Sequence, residues 1–193
     1  EIENHVASGV STDRDGALKS LVNALNAAAG SEVWAYVPSP STVPANEDVI
    51  RIAFIYKKAK IAPVGDSVIY DDPAYTGLAR QPLAQEFKPI TDVNHEGKNF
   101  VVIANHFKSK GSAPKNLSGA EAAANTDNGD GQGNSNGVRV KQARALATFA
   151  QRFNGTPTLL VGDFNAYTME DPLKVLTDAG WAHESGHGDS SYV

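Results

Sequence analysis

Asp163 and Asn165 stand two residues apart, just past the apolar run Thr158-Leu159-Leu160-Val161, with Gly162 between the run and the carboxylate. On an extended backbone, residues i and i+2 point to the same side, so a charged acceptor and a neutral donor-acceptor would face one space. Gly162 lets the backbone turn there or approach a ligand closely. The same residues also fit a strand followed by an Asx turn, in which the Asp side chain takes a backbone N–H two residues on. His106, Lys108 and Lys110 emerge in a similar way, in Asn105-His106-Phe107-Lys108-Ser109-Lys110 after a second apolar run. A lone His after a strand is more often structural, and exposed lysines are as often plain solvated surface. A histidine followed by two cations within one short turn also resembles a phosphate-facing strand end. Two such polar ends on one sheet can meet in a single cleft. The chemistry they would do there is phosphoryl chemistry: carboxylates hold a hard cation through oxygen, the cation neutralises a phosphate, and His and Asn donate hydrogen bonds to its oxygens.

The elements that must position these residues are legible in the spacing of apolar side chains. Leu18, Leu21, Val22, Leu25 and Ala28 recur at helical spacing after Thr12 or Asp13, either of which can cap the start, and Gly30 stops the helix. Strands are expected over 32–37, 49–56, 59–64, 82–90, 99–105 and 158–161, with 49–56 and 59–64 joined as a hairpin through Lys57-Lys58. The last of these reads as buried. A turn at Glu96-Gly97 leads into the run Phe100-Val101-Val102-Ile103-Ala104, the most strand-like in the chain. Residues 111–136, rich in Gly, Asn, Ala and Ser, are expected to form a mobile surface loop. A second helix spans 138–153, with Ala143, Leu146, Ala147, Ala150 and Phe153 on one face, and a third runs 169–179 up to Gly180. Strands and helices mix without strict βαβ alternation, which favours a layered α+β fold over a doubly wound one.

At 193 residues the chain accommodates one domain with a real core, and its 41% hydrophobic and 20% charged residues exclude general disorder. The formal charge of −5 excludes broad electrostatic attraction as the main device for holding a nucleic acid, so phosphates would need a local basic patch or bound divalent cations. The absence of cysteine excludes disulfides, thiolate zinc sites and a cysteine nucleophile. No stretch reaches the ~20 apolar residues of a membrane span.

Taken together, Gly162-Asp163-Phe164-Asn165, Asn105-His106-Phe107-Lys108-Ser109-Lys110 and Glu1-Ile2-Glu3-Asn4 resemble the endonuclease/exonuclease/phosphatase superfamily, most closely its bacterial extracellular nucleases related to deoxyribonuclease I. Arg51 to Tyr56, Arg80-Gln81-Pro82-Leu83, Asp130 to Gly133 and Asp163 to Pro172 extend the likeness over nearly the whole chain. The resemblance implies a single two-sheet α/β sandwich domain over 1–193 that hydrolyses phosphodiesters of DNA, with RNA as a further substrate. It also implies Mg²⁺ as cofactor, with Mn²⁺ and Ca²⁺ as alternatives, and an extracellular or periplasmic setting. Carried onto this chain, it makes Glu1 the metal ligand, Arg80 a contact to a substrate phosphate, and His106 the histidine that hydrogen-bonds the scissile phosphate or assists the leaving oxygen. Asp163 would position or deprotonate the attacking water, Asn165 would orient the phosphate, and Lys108 and Lys110 would contact the substrate backbone. The family also uses an asparagine ahead of Glu1 and a late S-D-H or L-D-H motif, and neither lies here. With Ser190-Ser191-Tyr192-Val193 resembling the strand that leads toward that motif, the chain is expected to be a domain incomplete at both ends. The rivals are a phosphatase or phospholipase of the same superfamily and a catalytically incomplete binding module.

Three other signals carry less. His183-Glu184-Ser185-Gly186-His187 has the H-E-x-x-H form of zinc proteases, but Gly180 has just ended a helix and little chain follows to give a third ligand. Asn128 to Gly133 partly imitates a calcium loop yet has Arg139 where the bidentate acid belongs, leaving only irregular cation binding open. Asn154-Gly155-Thr156 is a formal glycosylation sequon that more simply turns helix into strand.

Overall fold

The structure, a computed structural model, describes residues 1–90 and 97–184. In chain order the elements are β1 (Ile2–Glu3), α1 (Gly16–Ala29), β2 (Trp34–Tyr36), β3 (Ile50–Arg51), β4 (Ile55–Lys57), β5 (Ile61–Ile69), β6 (Arg80–Pro89), β7 (Phe100–His106), α2 (Gly119–Ala123), α3 (Asn136–Ala150), β8 (Thr158–Asp163) and α4 (Asp171–Asp178). The class is α+β, as the sequence implies. Strands β5-β6-β7-β8 form a four-stranded sheet, while β1-β3 and β2-β4 are separate two-stranded sheets. The chain divides into two compact units, Glu1–Asn105 with Phe153–Gly162, and His106–Arg152 with Asp163–Val193. The turn expected at Glu96, the second His of the H-E-x-x-H match and the strand expected at Ser190 to Val193 lie outside the described residues.

The first unit is built around β6. Leu83, Ala84, Gln85 and Phe87 are all buried along it, so neither face meets water, as in a central strand. The Phe87 ring lies 5.8 Å from Phe54, 6.1 Å from Tyr56 and 6.0 Å from Phe100. Gln85, 1% exposed, donates its amide to the carbonyls of Val64 (3.1 Å) and Glu86 (2.7 Å) beside the register shift between Val64 and Val68 in the β5–β6 pairing. A buried amide thus closes the bulge that Gly65 opens. The hairpin expected between 49–56 and 59–64 does not form. The 49–56 run breaks into β3 and β4, β4 pairs antiparallel with β2, and β5 pairs with β6. The physical reason is Arg51: it does not alternate outward but is 3% exposed, its guanidinium 2.8 Å from Asp15 Oδ1. Burial pushes that guanidinium below its ordinary pKa, and Asp15 and Glu47 oppose the shift.

Helix α1 starts three residues after the expected Asp13 cap and ends at Gly30 in the left-handed region, φ 67°. Its packed face is Leu18, Val22 and Asn26, while Leu21 is 40% exposed. Asn26 faces inward because its amide fixes β2, accepting from the Trp34 N–H (2.7 Å) and donating to the Trp34 carbonyl (3.0 Å). Strand β8 also differs from expectation: as an edge strand it leaves Leu159 51% and Val161 38% exposed, where the apolar run reads as buried.

In the second unit α3 packs on α4, with Phe107, Ala143, Leu146, Phe149 and Leu176 buried. The 111–136 stretch holds α2 and a chain of local hydrogen bonds, among them Asp127 N–H to Asn134 Oδ1 (3.0 Å) and Ser135 Oγ to the Ser112 carbonyl (2.8 Å).

Candidate active site

Strands β7 and β8 carry the two polar ends together. The Val101 N–H donates to the Pro157 carbonyl (2.8 Å) and the Phe107 N–H to the Asp163 carbonyl (2.9 Å). Partner numbers rise in step, so the strands run parallel and both C-terminal ends leave the sheet on the same side. Gly162 is required by this pairing. Its φ is 127°, and a Cβ built there would fall 2.0 Å from the Asn105 carbonyl oxygen. The Asn105 amide adds a bond to the Val161 carbonyl (2.8 Å).

Past the strand ends, the Asp-x-Asn pattern forms the Asx turn. Asp163 Oδ1 accepts the Asn165 N–H at 2.8 Å, an Asx turn, and Asn165 adopts a left-handed φ of 46°. That leaves Asp163 Oδ2 facing His106 Nε2 at 3.7 Å. The separation is too long for a direct hydrogen bond and short enough for an ion pair. The carboxylate is 60% exposed and the imidazole 24%, so a solvent-facing base lies beside a sheltered ring. The expectation that Asp163 and Asn165 point the same way from an extended backbone is corrected. The turn swings the Asn165 amide back to the Phe107 carbonyl (2.9 Å), which uses one of its two amide hydrogens. His106, Asp163 and Asn165 are thereby brought together.

Arg139 and Gln142, which sequence reasoning passed over, anchor this group from α3. Both are 0% exposed. Gln142 Oε1 accepts the Lys108 N–H at 2.8 Å, and the Arg139 guanidinium donates to the carbonyls of Lys108 (3.4 Å), Gln132 (2.7 Å) and Asn134 (2.7 Å). With Phe107 held by Asp163 and Asn165, the peptide groups that follow His106 are pinned one after another. Burial lowers the Arg139 pKa and nearby Glu170 opposes that shift. The signal available in the sequence was their place at helical spacing on the face of Ala143 and Leu146. Lys110 is not free for a substrate: its ammonium lies 2.5 Å from Glu170 Oε1 and 4.7 Å from the Tyr167 ring centroid. Lys108 has no ion-pair partner among the described residues.

In the first unit Glu1 and Arg80 meet. Arg80 Nε lies 3.1 Å from Glu1 Oε1 and 3.8 Å from Asp48 Oδ2, yet this enclosed N–H has no aligned acceptor. Asp48 is a member that no local pattern announced. Two carboxylates thus converge on the Arg80 guanidinium. No group of three or more His, Cys, Asp or Glu side chains that could hold a metal ion occurs among the described residues. A cleft of about 1160 Å³ opens beside Asp48, lined also by Asn4, Arg14, Glu47 and Gln81. Arg14 pairs with Glu47 on one wall, and Asn4 donates to the same carboxylate.

No family model matches the sequence, and no curated protein does. Among solved structures, an endonuclease/exonuclease/phosphatase family protein from Bacteroides thetaiotaomicron is similar with a TM-score of 0.50 and 14% identity, over 83% of this chain and 51% of that one. The human Nocturnin catalytic domain, solved with a bound sulfate anion, gives 0.46 and 17% over 86% of this chain and 52% of its own. An endonuclease/exonuclease/phosphatase from Bacteroides vulgatus gives 0.42 and 17% over 75% and 48%. The chain spans about half the length of each of these structures. Its fold is that of the endonuclease/exonuclease/phosphatase family, of the deoxyribonuclease I-like type.

Proposed function

We propose that the chain is a phosphodiester hydrolase that cleaves nucleic acid, DNA first and RNA second, in an extracellular or periplasmic setting. The observation that carries this reading is the juxtaposition of His106 Nε2 and Asp163 Oδ2 at 3.7 Å on adjacent parallel strand ends, with Asn165 turned in beside them. Asp163 Oδ2 accepts the proton of the attacking water, since its other oxygen is engaged in the turn. His106 Nε2 donates to a phosphate oxygen or to the departing one, and the second amide hydrogen of Asn165 holds another. On the same unit Lys108 answers the phosphate charge, and on the first unit Arg80 offers a substrate phosphate an enclosed N–H that lacks an aligned acceptor. On that first unit Glu1, with Asp48, would hold Mg²⁺, or Mn²⁺ or Ca²⁺ in its place, and the ion would supply positive charge against a substrate phosphate.

The test is nicking of a supercoiled plasmid in Mg²⁺ and in EDTA. Nicking is expected in Mg²⁺ alone, with His106→Ala and Asp163→Ala each lowering the rate roughly 10²-fold or more at unchanged far-UV circular dichroism. Hydrolysis of a phosphoinositide or a phosphomonoester with no nicking would instead make the chain a phosphatase or phospholipase. Nucleic-acid binding with no turnover of any of these would make it a binding module.

A further inference from the structure

Two of the most exposed large apolar side chains in the described residues sit just past the Asn165 turn: Tyr167, 67% exposed, and Met169, 75%. Single exposed apolar residues are ordinary. Tyr167 differs in being braced. The Lys110 ammonium stands 4.7 Å from its ring centroid, on one face. That ammonium does not swing freely, because Glu170 Oε1 holds it at 2.5 Å and Glu170 is only 6% exposed. The Glu170 N–H in turn donates to the Tyr167 carbonyl at 2.9 Å, closing the segment that carries the ring into a turn. Gly133 gives the lysine stem its passage: a Cβ there would meet Lys110 Cδ at 3.1 Å. A buried carboxylate therefore fixes a cation, and the cation backs an aromatic ring that is otherwise turned to solvent.

We propose that Tyr167 is a stacking platform for an unpaired nucleobase of the strand whose phosphate meets His106, Asp163 and Asn165. Every base has a π-face, and an aromatic ring held ready stacks on it with little loss of side-chain freedom. In a duplex those faces are covered by neighbouring bases, so the platform selects single-stranded or locally opened nucleic acid. Asn165 and Tyr167 are two peptide units apart, at most about 7 Å of chain, the scale on which a phosphate and a nearby base are separated. Met169, two residues on, is a further exposed apolar side chain, and Lys108 adds positive charge on the same unit. The proposal takes its substrate class from the hydrolase reading, but the contact itself does not need turnover.

The experiment measures equilibrium binding in Mg²⁺ on a His106→Ala background, comparing a single-stranded oligonucleotide with an abasic deoxyribose-phosphate oligomer of equal length. Adding Tyr167→Ala is expected to weaken the base-bearing strand roughly 5- to 100-fold more than the abasic one. Adding Tyr167→Phe should preserve most of the difference, since the ring and its backing remain. Equal weakening of both oligomers, no weakening, or no measurable binding of the base-bearing strand would overturn the platform. If binding behaves as expected while the parent chain with His106 intact cuts no phosphodiester, the platform stands and the hydrolase reading falls.

Discussion

At Gly162 one missing methyl decides whether two strand ends can lie side by side. The backbone there holds φ 127° and a Cβ would overlap the Asn105 carbonyl oxygen at 2.0 Å. Gly155, in the turn before β8, also has a positive φ, 95°, yet no atom stands within 4 Å of its missing Cβ. The pair separates two costs that are usually confounded. Gly155→Ala should lose about 1–2 kcal/mol, the penalty of a left-handed L-residue alone. Gly162→Ala adds a backbone clash that no side-chain rotation can relieve and should lose about 3 kcal/mol or more. Chemical denaturation of the two variants measures the difference. Nicking by any folded Gly162→Ala protein should fall as well, because the shift begins one residue from Asp163, whereas Gly155→Ala should not affect the rate of the folded fraction. Equal stability losses would show that the strands part at no cost and that Gly162 does not set the position of Asp163.

At the scale of the element, α3 acts on the candidate site through polar groups on its packed face. Arg139 is buried and donates to the carbonyls of Lys108, Gln132 and Asn134, three half-buried residues that lose these donors if it is replaced. Replacing it with Met keeps volume and removes every donor, so Arg139→Met should cost about 3 kcal/mol and speed amide exchange over 126–136 more than elsewhere. A uniform increase along the chain would mean that the guanidinium supports the whole fold and not this segment. The helix itself was legible because Ala143, Leu146 and Ala150 repeat at 3.6-residue spacing. What the helix does was not, because the same periodicity assigns charged side chains to water. Asn128 to Gly133 looked like a calcium loop spoiled by Arg139. In the fold that arginine is the cation on which the segment's carbonyls converge. Arg51 misled in the same way: counted as outward-pointing, it made one long strand of what are β3 and β4. His106, Asp163 and Asn165 could be found because each ends or follows an apolar run. Asp48 could not, since its link to Arg80 spans 32 residues with no local pattern.

For the whole molecule, a formal charge of −5 and a polyanionic substrate are in tension, and the pairing of the cations makes the tension sharper. Arg14 is paired with Glu47, Lys19 with Asp13, Arg51 with Asp15, Lys58 with Glu32, Arg80 with Glu1, Lys110 with Glu170 and Lys141 with Glu121, while Arg139 is turned inward. These eight are part of the chain's 17 lysines and arginines, and of the others it is Lys108 that stands two residues from His106. Each phosphate neutralised contributes a slope of about −0.9 to log K against log salt on duplex DNA and about −0.7 on a single strand. With Lys108 and a released Arg80 as the main contacts, the slope for a single-stranded oligonucleotide should be only about −1 to −2. Affinity should then depend far more on divalent cation than on ionic strength. Titration of a fluorescent oligonucleotide at several KCl concentrations, in Mg²⁺ and in EDTA, measures both. A slope steeper than about −4 in EDTA would require about six or more lysines or arginines to engage phosphates together, and a substrate held by such a basic surface would have no need of Glu1 and Asp48 to bring in positive charge.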